Sequence, residues 1–140
     1  SFLLASKAPT VGKPDAERYI YEFTKTSIHS PQGYVTIKFD EIRAFIAKTY
    51  SYIQKTNFEI NPSGIAIHPQ TKDLYVLSAL DRCIAVYSEK KLQHVYVLPA
   101  EIYYKPEGIG FLPNGDMILS SEGMKNGYIG GQIFVIPQKK

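Results

Sequence analysis

Most of the chain is built from short apolar runs bounded by turn residues, a pattern of strands rather than of long helices. Pro62-Ser63-Gly64-Ile65-Ala66-Ile67-His68-Pro69 passes through Gln70, Thr71 and Lys72 into Asp73-Leu74-Tyr75-Val76-Leu77-Ser78. Pro106-Glu107-Gly108-Ile109-Gly110-Phe111-Leu112-Pro113 passes through Asn114 and Gly115 into Asp116-Met117-Ile118-Leu119-Ser120-Ser121. Asn-Gly between two apolar runs is a strong hairpin signal, so each segment is expected to open with two short antiparallel strands. A third strand is expected at Arg82–Tyr87 and at Gly131–Ile136. The same strand recurs near the start as Arg18–Phe23, preceded by Phe2–Ser6 in the register of Leu74–Ser78. An outer fourth strand is expected at His94–Leu98, and a fainter one at Tyr34–Ile37.

The two Pro-x-Gly-Ile segments begin 44 positions apart. A period of about 40 to 50 residues is that of β-propeller blades. The expected fold is therefore all-β: a partial β-propeller of about three antiparallel blades. These blades occupy 1–39, 58–98 and 105–137 of a single domain. The chain opens in a second strand and stops after a third, so strands from upstream sequence are expected to complete the ring. Between the first and second blades the apolar period turns helical. Asp40 is expected to cap a short inserted helix over 40–54, with Ile42, Phe45, Ile46 and Thr49 at the spacing of a buried stripe. Such a stripe is expected to pack on the chain's own blades rather than to receive a partner.

Composition narrows the classes. An apolar share of 44% in 140 residues supplies enough material for a core. The net charge of +3 comes from lysines scattered from Lys7 to Lys140. No basic stripe results, and no nucleic-acid partner is expected. Cys83 is the one cysteine, which excludes an internal disulfide and a cysteine-based zinc site. Its place beside Ile84 reads as core packing. No apolar run approaches the roughly 20 residues of a membrane-spanning helix. His29, His68 and His94 are isolated, and no Gly-x-Ser-x-Gly elbow is present.

Candidate chemistry follows from folding the hairpins. Turning the chain about Asn114 puts Glu107 almost opposite Ser121, with Glu122 beside it at the same blade end. Two carboxylates supply hard oxygen ligands, so Glu107 and Glu122 are candidate metal ligands and calcium the candidate cofactor. The same pair has the residue type for general acid and base work. Ser63 stands where Glu107 does in the preceding unit, and Lys7 and Ala79 stand where Glu122 does. Ser63 and Lys7 are therefore candidate ligand-binding residues, Lys7 for an anionic group. Two long loops, from Lys7 to Glu17 and from Glu122 to Gly131, open on the same end, where ring-shaped folds place binding function.

The segments Asn61–Pro69 and Lys105–Phe111, with Leu119-Ser120-Ser121-Glu122-Gly123, Phe2–Lys7 and Tyr19–Phe23, resemble the SdiA-regulated family of bacterial propeller proteins. The resemblance implies a ring of about six blades in an exported protein of the bacterial envelope, often a lipoprotein, with a lipid anchor upstream. It implies no established activity. More distantly, the blades are similar to lactonase-like and phytase-like propellers, which place calcium and substrate at the mouth of the central channel. The leading expectation is a ligand-binding propeller using its channel mouth. The alternatives are a calcium-assisted hydrolase of lactonase or phosphoesterase type and a protein-interaction scaffold using the outer loops and the helix near Phe45.

Overall fold

The computed structural model describes residues 1–139. The described chain is mostly β: three small antiparallel sheets and one helix. The first sheet runs β1 (Phe2–Ala5), β2 (Glu17–Phe23) and β3 (Gln32–Lys38) in spatial order. Helix α1 (Phe39–Thr49) follows. The second sheet runs β4 (Pro62–Ile67), β5 (Leu74–Ser78), β6 (Cys83–Ser88) and β7 (Lys91–Val97). The third runs β8 (Pro106–Phe111), β9 (Met117–Ser121) and β10 (Gln132–Ile136). Each sheet is a meander of neighbouring strands joined by turns. No closed barrel is formed among the described residues.

The second sheet lies between the other two, and the alternation of side chains along a strand explains how. Strand residues point to opposite faces in turn, so a strand apolar at every position can feed two cores. In β6, Cys83, Ala85 and Tyr87 join a cluster with Ile20 and Ile37 of the first sheet and Phe39, Ile42 and Ile46 of the helix. Ile84 and Val86 point the other way, into a cluster with Leu119 of the third sheet. Strand β5 divides in the same manner, with Leu74 and Val76 on one side and Leu77 on the other. Strands β4 and β8, each at an edge of its sheet, pack side by side. A Cβ on Gly64 would meet Ile109 Cγ2 at 3.2 Å and the backbone of Ile109 and Glu107 at 3.3 and 3.4 Å, so the missing side chain permits that approach.

The outer sheets are covered on one face only. Ile133 and Val135 on the third sheet are 75% and 54% exposed. Phe2 and Leu4 on the first are each 55% exposed, with Phe2 stacked on Phe23.

The helix differs from its sequence expectation at both ends. It starts at Phe39, and Asp40 lies in its first turn rather than capping it; Lys38 is the cap residue and makes no side-chain cap bond. Phe39 is buried beside Ile42 and Ile46, and that apolar anchor fixes the start more strongly than a carboxylate exposed to water. Asp40 still suits the positive end of the helix dipole. The helix ends at Thr49, where Tyr50 N donates to Ile46 O, and Thr49 is exposed rather than part of the stripe. Phe45 is half-buried and meets His94 edge-on at 5.1 Å. Tyr50 donates its phenol to Val95 O at 2.9 Å, which ties the end of the helix to β7. The stripe thus rests on the chain's own sheets.

Candidate functional site

Strand ladders place equivalent residues of the three sheets at one end. Ser78 pairs with Cys83 in the second sheet and Ser121 with Gln132 in the third. Ser6 N donates to Tyr19 O in the first. The residues that follow, Lys7, Ala79 and Glu122, therefore leave their sheets at matching points. On β4 and β8, Pro62 pairs with Ser78 and Pro106 with Ser121, and the register slips by one residue in both.

That slip gives the register around Glu107, expected almost opposite Ser121. Pro106, not Glu107, stands opposite Ser121, and Glu107 is the extra residue of a β-bulge, as Ser63 is in the second sheet. Proline brings no N–H to the ladder, so the pairing is irregular where it begins. A bulge re-aims its side chain. Ser63 uses this to donate to Leu77 O and Pro106 O, each at 3.3 Å, linking β4 to β8.

Lys7, Ser63 and Glu107 line one cavity of about 560 Å³ together with Asn61, Arg82, Tyr104 and Lys105. Three of the four predicted site residues are thus brought together. The fourth, Glu122, lies beside the cavity and not in its lining. Its carboxylate accepts from Lys105 Nζ at 2.7 Å, while Glu122 N donates to Lys105 O at 3.1 Å. The hydrogen bond and charge of Lys105 hold the Glu122 carboxyl below its ordinary value, with smaller help from Lys125 and Lys7. The same bond raises Lys105. Among the described residues, no group of three or more His, Cys, Asp and Glu side chains converges as a metal cage.

Of the cavity's remaining polar groups, Asn61, Arg82 and Lys105 were not singled out from the sequence as site residues. Arg18 is 4% exposed and donates from Nε and Nη2 to Asn61 Oδ1 at 3.1 and 2.7 Å. Its Nη1 reaches Asp15 O and Glu17 O, and its guanidinium lies 4.8 Å over the Phe39 ring. Asn61 is thereby fixed with its amide N free of a protein acceptor among the described residues. Arg82 has left-handed backbone, φ 49°, at the entry to β6, and its Nε is buried with no hydrogen-bond partner. The signal was present in the repeat, which sets Arg18 and Arg82 at the same position, but only the packing of adjacent sheets gives that position meaning.

His68 and His94 have local roles. His68 is buried at a turn, and its Nδ1 accepts from the backbone N–H groups of Gln70 and Thr71 at 3.3 and 3.2 Å. Cys83 is fully buried. Tyr103 packs edge-on against Phe134, whereas Tyr104 faces the cavity.

No protein-family model matches the chain, and no curated protein matches it at a significant level. No helix among the described residues is long and apolar enough to cross a membrane.

Proposed function

We propose that this chain forms successive blades of a β-propeller of the SdiA-regulated kind, carried in the bacterial envelope, and that it acts by binding a small polar ligand in the cavity at the inner strand ends. Three sheets with equivalent ladder registers, two of them with the same inner bulge, support the propeller. Their stacking through apolar faces, with the outermost faces left apolar, supports it further. The family and the envelope location draw their support from the resemblance of the Pro-x-Gly-Ile segments and the strands around them.

The observation that carries the ligand reading is the cavity itself. Its volume suits a small molecule, and amide, hydroxyl, phenol, carboxylate and cationic groups converge on it from loops and strand ends of three sheets. Calcium binding and calcium-assisted hydrolysis need Glu107 and Glu122 on one ion. They have weaker support, because Lys105 already occupies Glu122.

A thermal-shift screen tests the reading, using a panel of polar metabolites with calcium chloride as a separate arm. At least one metabolite is expected to raise the melting temperature of the chain and to leave Ala79→Trp, which fills the cavity from its loop, unmoved. Silence across the panel, or equal shifts in the two proteins, would overturn it. Stabilisation by calcium alone, abolished by Glu107→Gln and by Glu122→Gln, would replace it with the metal reading.

A further inference from the structure

We infer that the cavity is built for an anion, a carboxylate or phosphoryl group on a small molecule held between Arg82 and Lys105; this rests on the cavity being a ligand site.

Two arginines of the repeat, one satisfied and one not, are the ground for it. Arg18 precedes Tyr19, whose carbonyl accepts from Ser6 N; Arg82 precedes Cys83, which pairs with Ser78. Both stand at the same ladder position, two residues ahead of an isoleucine that faces the following sheet, Ile20 in one and Ile84 in the other. Arg18 meets an acceptor there, Asn61, the residue before Pro62. The corresponding residue of the third sheet, before Pro106, is Lys105. Where the first arginine finds a carbonyl oxygen, the second shares its cavity with a cation.

Arg82 accordingly makes no side-chain hydrogen bond and no ion pair among the described residues, and its Nε is shut off from water. A guanidinium has only donors, and a buried donor left unmet is costly. Arg82 is only partly buried, and its Nη1 and Nη2, unlike its Nε, are not enclosed, so a ligand can reach them. A planar fork beside an ammonium matches the oxygens of a carboxylate or phosphate. Lys7 lines the same cavity and makes no ion pair among the described residues, while Lys105 is paired with the exposed Glu122. Against these three cations the lining holds one carboxylate, Glu107, so positive charge is in excess.

Calorimetry on the full chain tests this with inorganic phosphate, glucose 6-phosphate and galacturonate, against glucose and galactose as neutral counterparts. An anionic member is expected to bind, its neutral counterpart not, and the affinity to fall as sodium chloride is added. Whether the phosphate ester or the uronate binds identifies the group. Arg82→Gln is expected to weaken binding about tenfold or more with the melting temperature of the free protein kept or raised, since an unmet buried donor is removed. Glu107→Gln is expected to tighten it, since a like charge is removed. Neutral and charged members binding alike, or anion binding untouched by Arg82→Gln, would overturn the anion site and leave the cavity as a ligand site. Silence from all of them, joined to silence in the broader thermal-shift panel, would overturn the cavity reading as well.

Discussion

Arg18 donates two hydrogen bonds across a sheet boundary to Asn61 Oδ1, at 3.1 and 2.7 Å. A charge that is 4% exposed depends on such an acceptor, and this one also fixes how the first sheet sits on the second. Asn61→Ala is expected to cost about 2 kcal/mol, the scale of a hydrogen bond to a charged group lost in the interior. Arg18→Leu should make the further change Asn61→Ala much cheaper, because the unmet charge is gone. Urea unfolding of the two single variants and the double variant measures both. Additive losses would show that the pair is not coupled.

The hairpins were legible in the sequence because each combines turn residues with apolar runs of strand length, as at Asn114 and Gly115. The repeat placed Ser78 and Ser121 at one ladder position, which the register bears out. The bulge was not legible. Counting residues back from a turn assumes an unbroken ladder, and nothing in Pro106-Glu107-Gly108 says that Glu107 will be skipped. The cavity's basic character was hidden for another reason. Arg82 and Lys105 belong to different sheets, and their juxtaposition depends on packing between units rather than on any spacing along the chain.

The middle sheet should respond to truncation far more than the outer faces. Ile84 is fully buried between the second and third sheets, whereas Ile133 on β10 is 75% exposed. Ile84→Ala is expected to cost about 2–5 kcal/mol through lost burial and the cavity left behind. Ile133→Ala should stay within about 0.5 kcal/mol. Chemical denaturation of both separates them, and a comparable loss in the two would mean that the exposed face of β10 is covered in solution.

Tyr87 offers a gain. Its ring is in the core between the first and second sheets, and its hydroxyl is buried without a partner. Burial also drives its pKa well above the ordinary phenol value, followed by the charge of Glu41. Removing an unsatisfied hydroxyl while keeping the ring removes a desolvation penalty. Tyr87→Phe is expected to raise stability by about 1 kcal/mol, read as a higher denaturation midpoint with an unchanged slope. A loss of stability would show that the hydroxyl has a bound partner, such as ordered water.

Cys83 carries a pH dependence whose sign follows from its burial. Enclosure in the core pushes the thiol from 9.0 up to about 12, with the nearby Asp81 adding to the shift. The folded state then holds the proton at pH values where the unfolded chain gives it up. This contribution is complete below the ordinary value of 9.0 and is lost as the pH rises through about 12. Cys83→Ala has no such proton to lose. The stability of the parent relative to Cys83→Ala should fall by about 1 kcal/mol between about pH 8 and pH 10, with the tyrosines titrating alike in both. Thiol reagents should label Cys83 only after unfolding, because the thiolate is the reactive form and the side chain is fully enclosed. Rapid labelling of the native chain near neutral pH would mean that the first two sheets part far more often than their shared core allows.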